Sequence, residues 1–502
     1  MTKPKTAKRN VAAKAALPRL PTGIEGLDDI LEGGFPAHRI YLIEGEPGTG
    51  KTTLALQYLM EGVRRGEAGL YITLSETNNE LQAVARSHGW SLDGFEIYEA
   101  VPPPDSLKPE TQYTIFHPAE IELGETTNAI LKQVERIQPQ RVVIDSLSEM
   151  RLLAREPLRF RRQILALKQY LAGNRGTVLL LDDKVAGRDL EIHSIVHGVV
   201  SLEHLAVEYG AERRRLRVTK LRASKFRGGY HDFTIATGGL KVFPRLVAAE
   251  HHPEFARGHI SSNIAALDRL LGGGLDRGTS TLLLGPAGSG KSTLASQFAA
   301  AAAARGERSA AFVFDELRET FIGRATGVGT NMEKFVKKGV ITIQQVDPAE
   351  LSPGEFATTV REAVDLHGAR IVIIDSLNGY LNAMPEERFL SVQMHELLTY
   401  LNQQGVVTIL VMAQHGFLGG SMITPVDISY LADTVLMLRY FEAHGAIHRA
   451  LSVVKKRTGR HEPTIRELEI RAEGLRVGEP LAQFRGVLTG VPVFDGLDER
   501  PI

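Results

Sequence analysis

The 502-residue chain contains no cysteine. Disulfide scaffolds, zinc ribbons and thiol catalysis are therefore excluded, and a reducing, cytoplasmic setting suits it. It has no excess of either charge: 59 basic and 59 acidic residues give a formal net charge of zero. Nothing then draws it as a whole to nucleic acid, and only a local basic patch could do so. No uninterrupted apolar run approaches the length of a bilayer span, so no membrane role is expected. Residues 1–19 lack the apolar core of a secretory signal. They carry Lys3, Lys5, Lys8, Arg9, Lys14 and Arg19 without an acid. That composition reads as a disordered basic leader, with an organellar transit peptide as the alternative.

What the chain does have, it has twice. Gly45, Glu46, Pro47, Gly48, Thr49, Gly50, Lys51 and Thr52 form GEPGTGKT, followed by Thr53. Gly285, Pro286, Ala287, Gly288, Ser289, Gly290, Lys291 and Ser292 form GPAGSGKS, followed by Thr293. Each fits G-x-x-x-x-G-K-[ST] between an apolar run and an apolar-periodic segment, the strand–loop–helix context of a phosphate-binding P-loop. Glycines let the loop wrap a phosphate chain, and the helix adds its positive end. ATP and Mg²⁺ are the cofactors this motif calls for. Lys51 and Lys291 would reach the β- and γ-phosphates, and the hydroxyls of Thr52 and Ser292 would bind Mg²⁺.

The two loops head two copies of one unit. TGIEGLDDILEGGFPAHRIYLIEG (22–45) matches SSNIAALDRLLGGGLDRGTSTLLLG (261–285), and RVVIDSL (141–147) matches RIVIIDSL (370–377). The spacings agree, 291 − 51 = 240 and 375 − 145 = 230. The continuous β-branched runs predict buried parallel strands, and the segment 213–243 predicts antiparallel strands at a sheet edge. The fold class is α/β, a tandem duplication. The expected boundaries are a leader at 1–19, domains at 20–248 and 249–485, and a tail at 486–502. Thr77 with Glu80 predicts a helix N-terminus, VPPPDSLKPE (101–110) a surface loop and 249–258 a linker. His251 and His252 read as a solvated pair in that linker, since no further ligands are spaced to join them in a metal site.

Asp145 and Asp375 end buried strands, at the sheet edge where open α/β folds bind ligands, and are the candidate second Mg²⁺ acids. Glu76 in the first copy, and Asp315 with Glu316 in the second, end the neighbouring strand and are candidates to activate the nucleophile. Lys220 with Arg222, and Lys455 with Arg457, lie on later strands. They are either cations that act on a neighbour's nucleotide or a basic edge that blocks strand pairing.

The tandem P-loops, the two IDS strands, SET and DEL at the acid positions and the KLR and KKR segments together resemble the KaiC family of circadian-clock ATPases, from about Leu20 to Val491. The resemblance implies two RecA-like domains, each a mostly parallel sheet flanked by helices with antiparallel edge strands. It further implies a double-ring homo-hexamer with ATP between subunits, slow hydrolysis in the first ring and Ser/Thr autophosphorylation in the second. Roles in clock- or stress-related signalling, and a KaiB-like or other signalling partner, follow from the same resemblance. It places Lys220, Arg222, Lys455 and Arg457 as trans-acting catalytic cations and Ser429 as the phosphosite. The chain departs from the pattern at Ser75, where the family often has a second glutamate, and at Tyr430, where it has the second phospho-acceptor threonine; Thr424 matches another threonine of that region. The short end DGLDERPI argues against stimulation by KaiA. Two rivals stand beside this reading: a RecA- or DnaB-like DNA motor, against which the zero net charge counts, and a scaffold in which ATP only gates partner binding.

Overall fold

The computed structural model describes residues 18–100, 118–173, 176–184, 190–206, 210–250, 253–347, 349–382, 390–414, 431–443, 445–489 and 493–494. The expected loop at 101–110, His251, His252, Thr424, Ser429 and Tyr430 lie outside them. Two compact units result, one built mainly on residues up to Arg245 and one on residues from Leu246.

In the first unit nine strands form one sheet: β1 (Ile40–Gly45), β2 (Gly69–Thr73), β3 (Glu96–Glu99), β4 (Arg141–Asp145), β5 (Thr177–Asp183), β6 (Gly198–Leu205), β7 (Arg213–Leu221), β8 (His231–Ala236) and β9 (Gly239–Phe243). The second unit repeats them as β10 (Ser280–Gly285), β11 (Arg308–Val313), β12 (Ile341–Gln345), β13 (Ala369–Asp375), β14 (Val407–Ala413), β15 (Thr434–Ala443), β16 (Ala446–Lys456), β17 (Arg466–Arg471) and β18 (Gly474–Pro480). The spatial orders are the same: β3-β2-β4-β5-β1-β6-β7-β8-β9 and β12-β11-β13-β14-β10-β15-β16-β17-β18. The first six strands of each order pair in parallel, and the last three continue as an antiparallel meander.

The apolar runs need no alternation because both faces of the sheet are covered. Along β1, Tyr41 and Ile43 join the core against the P-loop helix with Leu54 and Tyr58. Ile40 and Leu42 join the opposite core with Ile130, Ile164 and Leu167. The strand expected to end at Glu76 is shorter. It stops at Thr73, whose Oγ1 accepts from the Glu76 amide at 3.0 Å and donates to the Glu76 carbonyl at 2.7 Å, turning the chain off the sheet. Thr77 then caps the helix Asn78–Ser87 and Glu80 reciprocates, as the S/T-x-x-E pattern predicts.

His231 on β8 is buried between two backbone groups: Nε2 meets the Arg227 carbonyl at 3.1 Å and Nδ1 accepts from the Arg245 amide at 2.9 Å. Burial holds its imidazole down at about 4. A depressed folded value means that the unfolded chain takes up the proton first as pH falls. The contribution is therefore intact above pH 6.5 and is lost down to about pH 4, a span worth about 3 kcal/mol. His231→Gln should flatten the loss of first-unit thermal stability across that window by a comparable amount. A calorimetric pH series on both proteins checks it, and parallel curves would remove His231 from the acid response.

Candidate nucleotide sites

Each P-loop begins at the carboxyl end of the central strand and ends at the start of a 14-residue helix, Lys51–Arg64 or Lys291–Ala304. Gly50 and Gly290 precede the helices at φ 96° and 101°, a left-handed conformation that glycine adopts without strain. A Cβ there would lie 2.6 Å from Ile235 Cδ1 or 2.8 Å from Ile470 Cδ1, so the loop turns tightly over the meander.

In the first site Lys51 Nζ donates to the Gly45 and Glu46 carbonyls at 2.9 and 3.0 Å and pairs with Asp183 Oδ1 at 2.9 Å. Thr52 Oγ1 donates to Asp145 Oδ2 at 3.1 Å, and Tyr71 OH donates to the same oxygen at 2.5 Å. Burial raises the Asp145 carboxyl above the usual carboxylate range, while these two hydroxyls oppose the shift. Glu76 is half-buried and faces the same charges. Burial, and then the Asp145 charge, raise its pKa, with Lys51 opposing. Its Oε2 is a buried oxygen without a hydrogen-bond partner among the described residues. A carboxylate placed so, beside a lysine and a hard-oxygen pair, can accept a proton from a water molecule.

The second site keeps the plan and changes the contacts. Lys291 Nζ donates to the Pro286 carbonyl at 2.7 Å, and burial brings its ammonium down to about 8. Asp375 is pushed up to about 6, chiefly by burial and against a hydrogen bond from Ser292. Its Oδ2 is buried and without a hydrogen-bond partner among the described residues. Asp315 accepts a hydrogen bond from Ser376 Oγ, and Glu316 is paired with Arg324 at 2.7 Å.

Among the described residues no group of three or more His, Cys, Asp or Glu side chains could hold a metal ion. A hydroxyl and a carboxylate per site, with the orphan oxygen of Asp375, are nonetheless the hard-oxygen donor set of Mg²⁺, which takes its other ligands from phosphates and water.

The sheet keeps the basic pairs away from their own P-loops. Lys220 pairs with Val199, three positions short of Leu202, which lies opposite Gly45. Lys455 pairs with Val435, three short of Leu438 at the corresponding edge. That is about 10 Å along the strands. Lys220 Nζ donates to the His193 carbonyl, and to that of Val196 at 2.8 Å; Arg222 donates to the Ser194 carbonyl at 2.9 Å. Lys455 Nζ donates to the Ala432 carbonyl at 2.8 Å, and Arg457 lies 3.5 Å from Asp433.

Several site residues escaped the sequence reading. Tyr71 and Asp183 touch Asp145 and Lys51 directly. Asp182 pairs with Arg151 and accepts from Ser148 Oγ at 3.0 Å. The run TVLLLDD ends at the same sheet edge as Asp145, so its two acids could have been found by the same argument. Tyr71 and Arg324 gave no such signal.

Fold and site together define a tandem P-loop nucleotide-binding protein. A family model described as ATPase: KaiC matches residues 20–247 and again 260–482. The chain belongs to this KaiC ATPase family. It is 27% identical over 492 residues to the circadian clock protein KaiC3 of Synechocystis, covering 96% of each chain. To the circadian clock oscillator protein KaiC of Parasynechococcus marenigrum it is 28% identical over 493 residues, covering 96% of this chain and 94% of the relative. To that of Synechococcus elongatus it is 27% identical over 505 residues, covering 99% and 96%. No helix among the described residues is long and apolar enough to cross a membrane.

Proposed function

We propose that the chain binds Mg²⁺-ATP at both P-loops, hydrolyses it at the first and, at the second, transfers a phosphoryl group to Ser429, within a double-ring homo-hexamer that serves clock- or stress-related signalling in the cytoplasm. The observation that carries the hydrolytic part is the buried oxygen of Glu76, without a hydrogen-bond partner among the described residues, beside Asp145 and Lys51. Glu76 takes the proton of the attacking water, and its raised pKa brings it nearer the operating range of a general base. Lys51 and Lys291 hold phosphate oxygens, and the loop backbone fixes the chain in line. Mg²⁺, held by Thr52 with Asp145 and by Ser292 with Asp375, would neutralise charge on the phosphates. Asp315 and Glu316 are the carboxylates available to the second site.

Lys220 with Arg222 and Lys455 with Arg457 supply positive charge to a neighbouring subunit's nucleotide. Their distance from their own P-loops along the sheet supports that role over one within the same subunit. A KaiB-like or other signalling protein is the partner that would read the protein's state.

Intact-mass spectrometry before and after incubation with Mg²⁺-ATP, with released phosphate measured in the same tube, tests the division of labour. The wild type should gain one phosphate and release more. Lys291→Ala should lose the added mass and keep phosphate release, and Ser429→Ala should lose the added mass alone. Loss of both signals in Lys291→Ala would overturn the division, and a persistent mass gain in Ser429→Ala would move the acceptor.

A further inference from the structure

The two sites differ at a position that neither the P-loop nor the strand-end acids account for. Glu76 and Glu316 occupy equivalent places, because the Leu74 amide bonds the Asp145 carbonyl and the Phe314 amide bonds the Asp375 carbonyl, each at 2.7 Å. Eight residues past the acid, on the helix that follows, stand Val84 in the first unit and Arg324 in the second. Arg324 reaches back to the acid. Its Nη2 lies 2.7 Å from Glu316 Oε1, and its Nη1 donates to Oε2 at 3.0 Å. The guanidinium stacks 5.2 Å from the centre of the Phe321 ring, which is fully buried and fixes its plane. Its charge also acts on Asp375. The Glu316 side chain is 19% exposed and that of Arg324 36%, so water screens the pair in part. In the first unit no arginine fills this place, and Glu76 keeps an oxygen without a partner among the described residues.

We infer that Arg324 is a positioning residue that holds hydrolysis at the second site below that at the first, by engaging both oxygens of Glu316. In hydrolysis the water oxygen forms a bond to the γ-phosphorus while the bond from that phosphorus to the bridging oxygen breaks. ADP leaves with the electron pair, and the water proton must pass to a base. A carboxylate with one oxygen accepting from a guanidinium and the other in ionic contact with it is pinned against the helix rather than free to meet water and take its proton. ATP at the second site is thereby spared from water and kept for transfer to a side-chain hydroxyl. The inference rests on the reading of Glu76, and of Glu316 by equivalence, as proton acceptor.

The test uses full-length protein in two backgrounds, Lys51→Ala to silence the first site and Lys291→Ala to silence the second. In the first background, Arg324→Val, which installs the first unit's residue, should raise kcat for phosphate release about tenfold or more with little change in KM. Arg324→Lys, which keeps the charge and loses the two-pronged geometry, should fall between. Adding Glu316→Gln to Arg324→Val should abolish the gain. In the second background, Val84→Arg should lower kcat. An unchanged or reduced kcat in a folded Arg324→Val protein, or a gain that survives Glu316→Gln, overturns the inference. If Arg324→Val does not fold, Arg324→Lys and Val84→Arg decide it by the same criteria. Glu76→Gln separates the two levels. Undiminished first-site turnover in that variant sinks the proton-acceptor reading itself, whereas lost turnover there with no response to Arg324→Val sinks only the role of Arg324.

Discussion

Glu76→Gln, made in the Lys291→Ala background so that only the first site turns over, is expected to lower phosphate release by about 10²–10⁴-fold. Nucleotide affinity should hold or tighten. The amide keeps the shape of the side chain, and the change removes one negative charge from a site that already carries Asp145 and Asp183. The effect therefore falls on kcat. The Glu76 oxygen is buried without a partner among the described residues, so little else described in the fold depends on its charge. The loss should also appear in single-turnover experiments, which separate chemistry from product release. Turnover that survives would transfer the role to Asp183, which lies 2.9 Å from Lys51.

The second large effect concerns stability. Arg141 has no exposed side-chain surface, although it opens a strand read from sequence as an apolar run. Its Nε donates to Glu67 at 2.5 Å and its Nη1 donates to the carbonyls of Pro21 and Tyr58, both at 2.7 Å. The guanidinium also stacks 4.6 Å from the centre of the Tyr58 ring. Gly62 makes the room: a Cβ there would lie 2.6 Å from Arg141 Cδ. Arg141→Ala strips one partner from a buried charge pair and leaves two carbonyls short of donors. Such changes cost about 3–5 kcal/mol, here toward the lower end because Glu67 is a quarter exposed. The unfolding midpoint of the first unit should fall by on the order of 10 °C, read by differential scanning calorimetry, with the second unit's transition unmoved. A shift under about 2 °C would mean that water replaces the guanidinium without penalty.

Arg141 also shows where sequence reading stops. The two IDS runs were aligned from their arginines, Arg141 with Arg370. Counting back from Asp145 and Asp375 instead sets Arg141 against Ile371. A buried arginine and an exposed one look alike in a string of letters, because what buries Arg141 is Tyr58 and Gly62 on the P-loop helix and Glu67 just past its end. The parts that were legible are local. The glycine spacing fixes the P-loops, the β-branched runs fix the parallel strands, and Thr77 with Glu80 fixes a helix start. Asp145 and Asp375 were legible because strand direction alone places them at the ligand edge. Asp183 was legible by the same argument, whereas Tyr71 and Arg324 were not, since each matters through a side chain met across the sheet or about two helical turns past an acid. The asymmetry of the two sites was visible at Ser75 and Asp315. Its larger part, the tie between Arg324 and Glu316, needed coordinates.

The strand order has a consequence for the birth of the protein. β1 lies between β5 and β6, whose residues end at Leu205, 205 − 45 = 160 residues after β1 leaves off. At ribosomal speeds of about 5–20 residues per second, the strand that carries the first P-loop waits roughly 10–30 s for both neighbours. During that interval its apolar run has no sheet to enter, and the second copy repeats the delay. The nascent chain thus passes twice through a period in which the strand that will carry a nucleotide site is open to association with other apolar chain.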